Sequence, residues 1–124
     1  MVKLVLYSDQ ISPATDAIDE RLARMLPQRE AVIGYLPSTP DPERIFYNER
    51  VAYYERLNLK LKYFDPEMDF VEDDLKMLRQ CDAIHLSGGN TYDFMHWLSQ
   101  KGLISELQTY VRKGGVLIGV SAGA

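Results

Sequence analysis

The chain has 124 residues, 46% hydrophobic and 26% charged, the composition of one globular domain with enough apolar side chains for a core. Eighteen acidic residues against fourteen basic ones give a net charge of −4. No block of Lys or Arg forms a phosphate-binding face, so nucleic acid and anionic membrane are set aside as partners.

Cys81 is the only cysteine, which excludes an internal disulfide and any CxxC site. With two histidines beside it, the chain has too few soft ligands for a structural zinc, and no metal site is expected. The apolar run at the N-terminus is too short for a signal-peptide core or a membrane span, so a cytoplasmic location is expected.

Residues 3–7 (KLVLY) read as a buried strand. Ser12-Pro13 is a helix start, with the proline in the first turn where a missing N–H costs nothing. Ala14, Ile18, Leu22 and Met25 then share one face, while Asp16, Asp19, Glu20 and Arg24 point largely elsewhere. A second apolar strand covers 31–36 (AVIGYL), and a proline-rich loop leads to a helix over about 43–57. Phe46, Tyr47, Tyr53 and Tyr54 crowd that helix and are expected to pack on the sheet.

Residues 59–64 (LKLKYF) alternate, the mark of a half-exposed or edge strand whose lysines discourage edge pairing. A short helix over 72–79 precedes a fourth strand at 83–86, which ends in Ser87-Gly88-Gly89-Asn90-Thr91. Helices over about 92–99 and 103–112, broken by Gly102, lead through Gly114-Gly115 into a fifth strand that ends at Val120. Strands alternating with helices predict a single α/β domain with a mainly parallel sheet. No repeat, linker or GxGxxG turn interrupts it, so no dinucleotide cofactor is expected.

Ligands of such sheets bind beyond the carboxyl ends of the strands. Three polar turns lie there: Tyr7-Ser8-Asp9, Gly88-Gly89-Asn90-Thr91, and Ser121-Ala122-Gly123. Gly119-Val120-Ser121-Ala122-Gly123 has the Gly-x-Ser-x-Gly form of a serine on a sharp strand-to-helix turn, with glycines where side chains would collide. If strands four and five are neighbours, the two glycine turns face each other. One then offers a hydroxyl and the other backbone N–H groups for a developing oxyanion, the geometry of acyl transfer.

GGNT after strand four, with GVSAGA after strand five, resembles the peptidase E family of serine peptidases, relatives of cyanophycinase. Tyr35-Leu36-Pro37-Ser38-Thr39 is similar to the family's ending of strand two. The resemblance runs from Met1 to Ala124 and covers the N-terminal part of a longer family domain. It implies a flavodoxin-like three-layer α/β sandwich, incomplete in residues 1–124, with the later strands missing. It further implies Ser121 as the nucleophile, the N–H groups of Gly89 and Ala122 as the oxyanion hole, and Gly88, Asn90 and Thr91 as substrate-binding residues. The reaction implied is hydrolysis of short peptides, aspartyl dipeptides among them, through an acyl-enzyme and without a cofactor.

In the family the base histidine and its acidic partner follow the serine, and no histidine follows Ser121 here. His85 lies inside strand four and reads as a buried, hydrogen-bonded core residue, and His96 reads as the solvent side of its helix. The 124 residues are therefore expected to carry the nucleophile and oxyanion hole but to be inactive alone. The alternative is an inactive short homologue that serves as a binding or assembly module. A further expectation is self-association, or a C-terminal segment, over an exposed edge of the strand ending at Val120.

Overall fold

The computed structural model describes residues 3–27, 29–38, 43–64, 71–87 and 91–120, except for the side chains of residues 91–93 and 97. Among the described residues, five strands and five helices follow one another as β1 (Lys3–Tyr7), α1 (Asp16–Met25), β2 (Ala31–Leu36), α2 (Ile45–Glu55), β3 (Leu59–Tyr63), α3 (Glu72–Arg79), β4 (Ala83–Leu86), α4 (Thr91–Gln100), α5 (Leu103–Arg112) and β5 (Val116–Val120). All strand pairs are parallel and the sheet order is β1-β5-β4-β2-β3.

The order explains the layering. From β1 to β2 to β3 the chain moves one way across the sheet, and from β3 to β4 to β5 it moves back. Right-handed crossovers then send the two sets of helices to opposite faces. Leu22 and Leu26 from α1 and its end, with Tyr53 and Tyr54 of α2, pack on Val5, Ile33, Ala83 and Ile118. Leu78, Phe94, Leu98, Leu103 and Leu107 from α3, α4 and α5 pack on the other face against Leu36, Ile84 and Leu86. This is a flavodoxin-like three-layer sandwich, as expected.

Most strand limits match the alternation and turn residues of the sequence. The edge position of β3 also follows its lysine pattern. Three expectations change. The first helix begins at Asp16 rather than near Ser12, because Thr15 closes a turn on Ile11: its N–H and its hydroxyl both donate to the Ile11 carbonyl, at 2.9 and 3.0 Å. Asp19 faces the core and is 2% exposed, for a reason given below.

The third correction concerns the strand ending at Val120. β5 is hydrogen-bonded to β1 on one side and to β4 on the other, so it has no free edge, and Val116, Ile118 and Val120 are buried. Within the sheet, apolar side chains are exposed on β1, an outer strand, where Leu4 and Leu6 are 48% and 55% exposed. Val5 and Tyr7, on its other face, are buried under the α1 and α2 side.

Candidate active site

The residues singled out for chemistry leave from neighbouring strands. Leu86 of β4 pairs with Gly119 of β5, and His85 with Ile118. The strand ends that lead to Gly88-Gly89-Asn90 and to Ser121-Ala122-Gly123 are therefore neighbours, about 4.8 Å apart, the spacing of paired strands. Ser121, Ala122, Gly88, Gly89 and Asn90 lie outside the described residues. Thr91 opens α4, with its side chain outside them too.

Two more strand ends frame this position. Tyr7 pairs with Val120, which brings the Ser8-Asp9 turn alongside β5, and Leu36 pairs with Leu86, which brings the Pro37-Ser38 turn alongside β4. Beyond β2 the chain runs to α2 on one face; beyond β4 it runs to α4 on the other. The β2/β4 pair is thus a point where the winding reverses, where open α/β sheets place their ligands. Across it, the Ser87 N–H donates to the Leu36 carbonyl at 3.1 Å, and the Ser38 N–H donates to Ser87 Oγ at 2.9 Å. Both serines are buried.

The two histidines differ in their surroundings. His96 is exposed on α4. His85 is 1% exposed, stacked on Tyr35 with ring centroids 5.1 Å apart, and its Nδ1 is 2.8 Å from the Tyr54 hydroxyl. Burial holds its pKa down to about 3, with the positive charge of Arg50 acting in the same direction. An imidazole that neutral, with one nitrogen occupied, does not take a proton from a serine at neutral pH.

The Tyr54–His85 contact ends a directed chain that sequence reading missed. Arg50 Nη1 donates to Gln10 Oε1 at 3.0 Å, and Gln10 Nε2 donates to the Tyr54 hydroxyl at 2.7 Å. A guanidinium can only donate, so the Gln10 amide must turn its oxygen to Arg50 and its nitrogen to Tyr54. The single phenolic proton of Tyr54 then goes to His85 Nδ1, which leaves the ring's own proton on Nε2. A second missed cluster surrounds Asp19, which accepts from Tyr7 at 2.6 Å, from Tyr53 at 2.7 Å and from Arg56 at 3.0 Å. Burial is the main reason that the Tyr7, Tyr53 and Tyr54 hydroxyls all hold their protons above the usual tyrosine pKa.

The signal for both clusters was in the sequence. Buried tyrosine hydroxyls need partners, and three such tyrosines on β1 and α2 required an acceptor facing them. Asp9, in the turn after β1, is exposed and accepts from the Gln10 N–H at 2.7 Å.

An open cavity of about 390 Å³ lies at the opposite end of the sheet, lined by Cys81, Asp82, Glu106, Tyr110, Gly114 and others. Several of its polar groups are engaged with their neighbours: Arg79 with Glu106, Asp82 with Arg29, and the Tyr110 hydroxyl with the Cys81 carbonyl. Among the described residues no group of acidic, His and Cys side chains could hold a metal ion, and no helix is long and apolar enough to cross a membrane.

A doubly wound parallel sheet with helices packed on both faces defines a three-layer α/β protein. The family model for peptidase family S51 matches residues 4–124, and the chain belongs to that family. Two solved structures share its fold. A putative peptidase E protein from Listeria monocytogenes EGD-e is similar at 23% identity and a TM-score of 0.78, over all of this chain and 61% of that one. A peptidase from an acI-B1 Actinobacterium is similar at 19% identity and a TM-score of 0.73, over all of this chain and 56% of that one. The chain thus spans roughly three-fifths of the length of these neighbours. A search of curated proteins finds no match.

Proposed function

We propose that these residues carry the nucleophile half of a serine-type peptidase site. Ser121 attacks the scissile carbonyl, and the N–H groups of Gly89 and Ala122 stabilise the oxyanion. Gly88, Asn90 and Thr91 shape the cleft for a short peptide, with aspartyl dipeptides as the first substrates to try. The observation that carries this reading is the pairing of Leu86 with Gly119, which makes neighbours of the strand ends leading to the two glycine motifs. S51 membership and the two peptidase-like folds support it.

A serine hydroxyl is a weak nucleophile until a positioned base accepts its proton. The placements of His85 and His96 support a base that is neither of the chain's two histidines. They also keep a second reading in view, an inactive homologue that binds peptides without cleaving them. Hydrolysis of short peptides by the protein expressed from its own gene, compared with its Ser121→Ala variant, separates the two. Turnover lost on substitution supports the peptidase reading. Peptide binding with no turnover in either protein supports the module.

A covering partner is part of the same proposal, moved to a new place. We propose that a second copy or further chain packs on the Leu4 and Leu6 face of β1, since parallel sheets are normally covered on both faces.

A further inference from the structure

Ser87 joins two turns that belong to different halves of the fold. It is the first residue after β4 and stands immediately before Gly88-Gly89. Its N–H donates to Leu36, the last residue of β2, and its Oγ accepts from the N–H of Ser38, in the turn beyond β2. The side chain thus extends the β2/β4 ladder past the point where the two chains part for opposite faces. Both ends of the contact are buried, Ser38 at 4% and Ser87 at 8% exposure, so no bulk water replaces it.

From this geometry we infer that Ser87 is a positioning residue for the oxyanion hole. The inference rests on the peptidase reading above and gives a task to a residue that the reading leaves out. An oxyanion donor acts through preorganisation: its N–H must already stand where the charge will develop. Gly88 and Gly89 are the residue types least able to hold a backbone direction by themselves. Ser87, immediately before them, is fixed by two hydrogen bonds, one to the last residue of β2 and one from the turn beyond it. Without the Oγ, the Ser38 N–H loses this acceptor, and the tie between Ser87 and the turn beyond β2 is weakened. A displacement on the order of 1 Å at a reacting centre lowers rates by about 100-fold.

The test uses the protein expressed from its own gene, a short chromogenic peptide, and a peptide boronate as a transition-state analogue. Ser87→Ala is expected to lower kcat by roughly 10- to 100-fold and to weaken boronate binding in parallel, with KM changed about twofold or less. Ser87→Thr keeps the hydroxyl acceptor and is expected to recover most of kcat. A purely structural role would give no such split between kcat and KM and no rescue by the hydroxyl alone. If Ser87→Ala does not fold, Ser87→Cys decides, because it fills similar space with a weak acceptor. Wild-type kcat in the readable variant, while Ser121→Ala is inactive, overturns the role of Ser87 and leaves the peptidase reading intact. A loss confined to KM, or a threonine variant as slow as the alanine one, also overturns it. Turnover that survives Ser121→Ala overturns the peptidase reading and the role of Ser87 with it.

Discussion

At the scale of single residues, the fold keeps several polar groups inside by giving each a partner of fixed direction. Tyr54 is the middle of the chain from Arg50 to His85, accepting from Gln10 and donating to Nδ1. Tyr54→Phe removes one oxygen, leaving a buried amide donor and a buried ring nitrogen without partners. A loss of about 1–3 kcal/mol of stability is expected, measurable by urea unfolding. His85 carries a second prediction. Its folded pKa is depressed to about 3 from an ordinary 6.5 by burial, aided by Arg50. Between those values the unfolded chain binds a proton that the folded chain does not, so stability rises with pH there. Stability is expected to be fully present above about pH 6.5 and to fall as the pH drops toward 3. Substituting His85 with Gln should flatten that part of the pH–stability curve, and an unchanged slope would contradict the assignment.

At the scale of elements, close packing depends on where side chains are missing. Gly34 on β2 faces α3, and a Cβ there would lie 3.1 Å from both Cys81 Sγ and Leu78 Cδ1. Gly115 sits directly beneath the Tyr110 ring, where a Cβ would come within 2.3 Å of it. That ring cannot swing aside without breaking the 2.7 Å bond from its hydroxyl to the Cys81 carbonyl. Gly115→Ala is therefore expected to cost about 1–3 kcal/mol by overpacking, read as a lower urea midpoint. Gly34→Ala should cost less, since its neighbours are side-chain ends that can give.

How far these elements were legible varies with the physics behind each. β2, β4 and β5 read as continuous apolar runs because both faces are covered, and the edge position of β3 showed in its alternating lysines. Gly102, at φ +68°, separates α4 from α5 as its sequence position suggested. Asp19 was misplaced because helical periodicity treats a carboxylate as a surface residue, whereas this one meets three donors across α2 and β1. The sheet order had no local signal, since β1 lies three places from β2, and pairing over that distance is decided by the whole core. The adjacency of β4 and β5 was the condition on which the site depended, and the structure supplies it. The two glycine motifs on which the site reading rests stand plainly in the sequence, but Ser121, Ala122, Gly88, Gly89 and Asn90 fall outside the described residues.

At the scale of the whole molecule, one face of the sheet is unevenly covered. α3, α4 and α5 bury the middle of it, while Leu4 and Leu6 of β1 stand exposed at its margin. Two neighbouring large apolar side chains on an outer strand invite association. The 124-residue chain is expected to run above monomer mass in light scattering, and Leu6→Lys to shift it toward monomer. A monodisperse monomer before substitution would contradict this.

The central claim is that the turn after β5 presents an activated serine beside the turn after β4. The most direct measurement is covalent labelling of the native protein, expressed from its own gene, with a fluorophosphonate and localisation of the adduct by peptide mass spectrometry. The account predicts one adduct, on Ser121, that disappears when the protein is denatured before labelling. Absence of any adduct on Ser121, or equal labelling of the Ser121→Ala variant, would contradict it.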